Sequence, residues 1–521
     1  MSKIASYPVR YDAERAPKVG LVFNSNGVFN EEGKRLGETL MAQLLAQLRD
    51  ESAVHRDSFV YSGRIFGYHE AQKVAHDFAR AQVDVVVIFN SSFPNGFVFP
   101  VIAMHPRLLG IPIIVAAGVE PNEAIGSAEW ATNSICGNDM NNYVARYIGK
   151  HVRFLEGDPQ SEEFQNELRM LLNTYRVIKE LRHEYHGRFG DAPAGFHSAT
   201  GDQLLFFKTF GVILETVDLL RVKEVYDGMQ TRGQVGEESF TEEDIQDTAR
   251  EMQAGRLNLI GDPKVLLDGA RLYHSLRAII RAEGFSSASL KCWPEIPGPS
   301  IPVHPCLPMG WALSKGDVTA FGCESDWPMA IMQSIATRLS GKPAAFLDFV
   351  NWTAGSEVVQ LGHCGVGIAS IMEPNSPELV KRVEKEGVTG ALKQEVLTGS
   401  VRVNDALIEH GVRRQAGVES GPTHIGQYQY GVKTGICITK TPEGRLKMLV
   451  FTGESSPRTA QGILYSGTDV LVRNHQKLDQ LKREHGFPHH LAVAMADISR
   501  ELRELCAFYG IEFISPDDGG P

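Results

Sequence analysis

Residues 317–352 read DVTAFGCESDWPMAIMQSIATRLSGKPAAFLDFVNW, and the folding of this stretch governs the rest of the chain. The apolar run up to Glu324 predicts a buried strand. WPMAIMQSIATRL carries apolar residues at helical spacing, with Gly341 where a helix should stop. AAFLDFV is a second short apolar run. Strand, helix and strand in this order predict parallel neighbours, because a crossover of this length is the usual way to join them. Glu324 and Asp348 would then share the carboxyl edge of one sheet, where open α/β sheets bind ligands.

Outward from this unit, the chain is 521 residues long, which predicts several domains. The N-terminal part alternates strand and helix: KVGLVFNS, a helix over 31–49, FVYSGRIF, a helix over 69–82, VDVVVIFNS, a helix over 97–109, and IPIIVAA. This predicts a doubly wound parallel domain, without the glycine fingerprint of dinucleotide binding. Residues 140–182 read as helical. A second strand–helix–strand alternation begins near GRFGDAPAG, and EESFTEEDIQDTAREMQAG reads as a solvated helix face. IPGPSIPVHPCLPMG reads as a long irregular loop. Beyond residue 421, QYQYGVKTGICITKTPEGRLKMLVFTGES alternates in short segments and predicts antiparallel strands. The expected fold is multi-domain α/β. Two doubly wound parallel domains, 1–150 and 151–320, precede a metal-bearing region, 321–521, with an antiparallel, barrel-like subdomain.

The formal net charge of −11 argues against nucleic acid, which requires a clustered basic face. No run approaches the roughly 20 apolar residues of a membrane span. The N-terminus lacks the apolar segment of a secretory signal. Seven cysteines without a CxxC pair read as reduced thiols of a cytoplasmic protein.

Glu324, Asp348, His363 and one histidine of the His489–His490 pair form a candidate metal constellation. Carboxylates with imidazoles suit Mn²⁺, Mg²⁺ or Co²⁺. Each residue alone also has an ordinary structural explanation, such as a helix cap or a satisfied histidine. Asn24 and Asn90 close predicted strands and are either turn asparagines or substrate contacts, as is Asn26. Trp327, Trp352 and Trp293 read as sugar-stacking candidates or as core, and Cys323 and Cys364 as packed thiols.

CESD around Glu324, FLDFVNW around Asp348, GHCG around His363 and the terminal GFPHHLAVAMADISRELRELCAFYGIEF resemble the L-fucose isomerase/L-arabinose isomerase superfamily. KCWPEIP and HPCLPMG resemble its shorter, fucose-isomerase-like branch. The resemblance covers roughly residues 289–513 and is weaker over the first 150. It implies that Glu324 and Asp348 bind Mn²⁺ and serve as the acid/base pair of an aldose–ketose isomerase acting through a cis-enediol. It also implies His490 as a metal ligand, His489 nearer the substrate, and His363 as a ligand of the arabinose branch. Asp348 stands where that branch has glutamate and agrees with the fucose branch. A homo-oligomer follows from the resemblance, a hexamer foremost, with a neighbour's N-terminal domain closing the site.

The expected substrate is an open-chain deoxyhexose or pentose of the fucose or arabinose type. An anionic sugar such as sulfoquinovose is the alternative and needs a cation, for which Arg413, Arg414 and Lys433 are candidates. A metal-dependent lyase or epimerase, and a sugar-binding protein without turnover, are rivals from other classes.

Overall fold

The computed structural model describes residues 15–26, 31–63, 65, 67–118, 132–228, 239–254, 258–260, 263–296, 298, 301–352, 357–363, 366–373, 400–402, 423–456 and 466–518. Cys364, Arg413 and Arg414 lie outside these residues, as does the side chain of Trp352. The chain divides into two compact units. One comprises residues 10–180 and 500–510, and the other 1–9, 181–499 and 511–521.

The first unit alternates as its sequence predicts: β1 (Val19–Asn24), α1 (Glu31–Asp50), β2 (Phe59–Tyr61), α2 (Tyr68–Ala81), β3 (Val85–Asn90), α3 (Val98–Ala103) and β4 (Ile113–Ala117). α4 (Ser134–Tyr147), β5 (Arg153–Glu156) and α5 (Glu162–Leu181) follow. The five strands are parallel in the order β2-β1-β3-β4-β5. Val85 and Val87 face α1 and α5, whereas Val86 and Ile88 face α2 and α3. Burial on both faces is why these strands appear as continuous apolar runs. β5 corrects the expectation of unbroken helix over 140–182. It is a short edge strand of sequence RFLE, with too few buried positions to show a strand pattern. Residues 500–510 complete this unit through Glu504, which accepts hydrogen bonds from Tyr175 Oη (2.7 Å) and His151 Nε2 (2.8 Å).

The second unit opens with β6 (Tyr185–Phe189), α6 (Gln203–Phe210), β7 (Ile213–Val217), α7 (Leu219–Tyr226), α8 (Glu242–Ala254), β8 (Asn258–Ile260), α9 (Pro263–Glu283) and β9 (Ser287–Leu290). α10 (Cys306–Lys315), β10 (Phe321–Gly322) and α11 (Trp327–Ser340) come next. HPCLPMG is therefore not loop throughout. CLPMGWALSK forms α10, with Cys306 to Leu313 buried, and its internal proline lies at the third helical position, where a backbone N–H has no intrahelical acceptor to lose.

The central strand–helix–strand expectation is corrected here. β10 pairs parallel with β9 in the sheet β10-β9-β6-β7. β11 (Ala345–Trp352) instead pairs antiparallel with β12 (Val358–His363) and β18 (His490–Ala494). α11 therefore carries the chain from a parallel sheet into an antiparallel one. It packs against β9 and β10 on one side and β11, β15 (Gly431–Lys440) and β18 on the other. Thirteen of its fourteen residues are buried, which explains its nearly apolar sequence.

The antiparallel part is barrel-like, as expected. β16 (Leu446–Ser455), β15, β18, β11, β12 and β17 (Ser466–Leu471) pair in sequence, and β16 pairs back with β17 through Glu454 and Leu471. β15 and β16 form the hairpin foreseen around the PEG turn. β19 (Glu512–Ile514) flanks β16. β14 (Thr423–Gln427) and β13 (Ser400–Arg402) extend from β17 to β8.

Candidate metal centre

Glu324 lies beyond the end of β10, within a single 3-10 turn formed by Cys323–Ser325, at φ 55° and ψ 24°. Ser325 follows at φ 57°. Two consecutive left-handed non-glycine residues are costly and persist only where the surroundings hold them. Here the Ser325 hydroxyl donates to Gly190 O (3.0 Å) and accepts from Arg188 Nε (3.1 Å). A Cβ at Gly322 would come within 2.7 Å of Asp326 O, so the turn requires glycine there.

Asp348 is in the interior of β11 rather than at a strand end, directly opposite His490 in the pairing with β18. The two carboxylates reach one imidazole from different sheets. His490 Nε2 is 3.2 Å from Glu324 Oε2 and 3.4 Å from Asp348 Oδ1. His363 Nε2 is 4.0 Å from Asp348 Oδ2, and His489 Nε2 is 4.0 Å from Asp348 Oδ1. Two overlapping sets, Glu324–His489–His490 and Asp348–His363–His490, keep their ligand atoms within 4.8 Å of one another. All five residues named from the sequence converge. The geometry arises from a barrel strand facing a parallel-sheet edge, not from one shared sheet.

Electrostatics mark the same place. Burial raises Asp348 above the usual carboxylate range, against the pull of His363, His490 and His489. Burial opposes charge on His490, but hydrogen bonds to Asp326 and Glu324, with the charges of Asp326 and Asp348, outweigh it and raise it to about 9. His489 is lowered, first by burial and then by His490. Asp348 Oδ1 is buried and accepts no hydrogen bond among the described residues. Oxygen and imidazole donors around such an atom fit a divalent cation of intermediate hardness.

Sequence reasoning did not single out Asp326, whose Oδ2 lies 2.7 Å from His490 Nδ1 with both side chains buried. Its signal was available: an aspartate two residues before a proline, at the start of an apolar helix, is an N-cap pattern. Trp293 Nε1 donates to Glu324 Oε1 (3.3 Å), and Phe196 packs edge-on against both Trp293 and His489.

The other expected contacts are buried side chains. Trp327 is 1% exposed and packs edge-on against Phe206, so it is core and presents no ring face to a sugar. Asn24 and Asn90 belong to the first unit, where both are fully buried. Asn24 donates to Asn90 Oδ1 (3.4 Å) and Asn90 to Asn138 Oδ1 (2.8 Å), so these amides are engaged in a network within that unit. Lys433 is buried, bonded to Gly431 O, and lies toward the end of β15 that pairs with Ala494, four residues along β18 from His490.

The family model described as fucose/sulfoquinovose isomerase, N-terminal domain, matches residues 20–182, the part where the motifs were weakest. Fold, site and this match bear out the resemblance to the fucose-isomerase-like superfamily and the reading of the chain as an aldose–ketose isomerase, an intramolecular oxidoreductase. It is similar to the sulfoquinovose isomerase of Alkalicoccus urumqiensis, with 25% identity over 408 residues covering 78% of this chain and 80% of that one. The sulfoquinovose isomerase of Priestia megaterium is 23% identical over 436 residues, covering 83% and 85%. That of a Clostridium species is 23% identical over 389 residues, covering 73% and 75%.

Proposed function

We propose that this chain isomerises an anionic aldose of the sulfoquinovose type to the corresponding ketose, using a divalent cation, Mn²⁺ foremost. The observation that carries the chemistry is the convergence of Glu324 and Asp348 on His490. The substrate rests on the three relatives, each named a sulfoquinovose isomerase, and so displaces the neutral fucose- or arabinose-type sugar expected from the sequence.

In this proposal Glu324, Asp348 and His490 hold the cation, with His363 as a further ligand. The ion would polarise the sugar oxygens at C1 and C2 and acidify the carbon-bound proton. One of the two carboxylates takes the proton from C2 and returns it to C1, through a cis-enediol, while the other manages the proton between O1 and O2. His489 borders the substrate.

A sulfonate calls for a cation. Arg188, near the carboxyl end of the parallel strand β6, and Lys291, just beyond that of β9, are now the candidates; each is paired to an acid, Asp191 and Glu295 respectively. Every proposed ligand falls in 321–521 of the three-part division 1–150, 151–320 and 321–521. We further propose a cytoplasmic homo-oligomer, a hexamer foremost, with a neighbour's N-terminal domain closing the site. Among the described residues no helix is long and apolar enough to cross a membrane.

The direct test is Glu324→Gln. It is expected to remove turnover by about a thousandfold or more while the fold persists. An active, metal-loaded Glu324→Gln enzyme would contradict the assignment.

A further inference from the structure

Asp326 makes two contacts with its two carboxylate oxygens. Oδ1 accepts from Met329 N (3.0 Å) and so caps α11. Oδ2 faces His490 Nδ1 at 2.7 Å, where both side chains are 1% exposed. An ionised carboxylate can only accept, so Nδ1 carries the hydrogen and Nε2 is left facing Glu324 and Asp348. The turn that presents Glu324 ends at Asp326, whose N–H bonds Cys323 O (3.0 Å). The four-residue segment Cys323–Asp326 therefore supplies a proposed ligand and grips the imidazole of another.

We propose that Asp326 is a positioning residue for the metal centre: it fixes the tautomer and ring orientation of His490 so that Nε2 is the ligating atom. This rests on the metal-dependent reading above. Carboxylates behind metal-bound histidines act in this way, and their loss typically weakens metal binding by about 10- to 100-fold.

Asp326→Asn separates this role from helix capping. The Met329 N–H requires an oxygen at Oδ1, which leaves the amide NH₂ toward His490 Nδ1. That nitrogen must then accept, the hydrogen moves to Nε2, and the ligand atom is blocked. Asp326→Ser keeps a cap acceptor and withdraws from His490 altogether. The experiment titrates Mn²⁺ into the wild-type apoprotein and both variants by calorimetry. It also records the visible absorption of the Co²⁺ forms and the apoprotein melting temperatures. The expected result is a dissociation constant for Mn²⁺ raised at least tenfold in both variants, with an altered Co²⁺ spectrum and an Asp326→Asn apoprotein that melts near wild type. Wild-type-like Mn²⁺ affinity, within twofold, in either variant overturns the positioning role alone. A wild-type protein that takes up no Mn²⁺ or Co²⁺ overturns the metal-dependent reading, and this role with it.

Discussion

His490 is gripped on both ring nitrogens, and that double engagement organises the site more than any single carboxylate does. Asp326 stands at one nitrogen, Glu324 and Asp348 at the other. A contrasting histidine lies in β6, within the parallel sheet whose edge carries Glu324. His186 is fully buried between Ser287 Oγ (2.8 Å) and Ser289 Oγ (2.9 Å), and burial, aided by Arg188, lowers it to about 3 from an ordinary 6.5. Between those pH values the unfolded chain binds a proton that the folded chain refuses. This contribution to stability is complete above pH 6.5 and is lost as pH falls toward 3. His186→Gln, which retains polar groups, is expected to flatten the pH dependence of unfolding free energy by up to about 1.4 kcal/mol per pH unit. Urea unfolding of both proteins between pH 4 and 6 checks this; parallel slopes would refute it. The candidate ligands were legible at this scale because acids and histidines are rare in apolar strands. Asp326 was not, because an N-cap aspartate looks the same whether or not its second oxygen is used.

At the scale of elements, apolar pattern located strands well and their partners poorly. β1, β3 and β4 were legible because a strand covered on both faces is apolar throughout. The same texture at AAFLDFV gave no hint that β11 pairs antiparallel in a barrel, since strand direction is a property of neighbours distant in sequence. The two acids were placed together for a topological reason that fails, and meet because α11 leads from β10, at the edge of the parallel sheet, to the barrel strand β11. α10 was hidden by its internal proline and glycine. Gly310 on that helix runs so close to Gly367 O that an added Cβ would sit 2.0 Å away. Gly310→Ala must therefore push two backbones apart, at a cost of about 1–3 kcal/mol. A lowered melting temperature is the expected result, and an unchanged one would mean that the contact yields freely.

For the whole molecule, sequence texture was read as three domains, 1–150, 151–320 and 321–521, whereas contacts group the chain into two units, neither of them continuous in sequence. The helix Ser499–Tyr509 returns to the N-terminal unit through Glu504, a contact between residues more than 300 apart in sequence. No local pattern signals such a return. Proposed assembly into a hexamer predicts a particle about six times the 57.4 kDa chain mass by light scattering; a stable monomer with full activity would contradict it. The central claim is the reaction itself. Sulfoquinovose incubated with the Mn²⁺-loaded protein in D₂O, and followed by ¹³C and ¹H NMR, should yield the corresponding ketose with solvent deuterium entering at C1. Fragmentation of the sugar, or recovery of the unlabelled aldose from fully metal-loaded protein, would contradict the account.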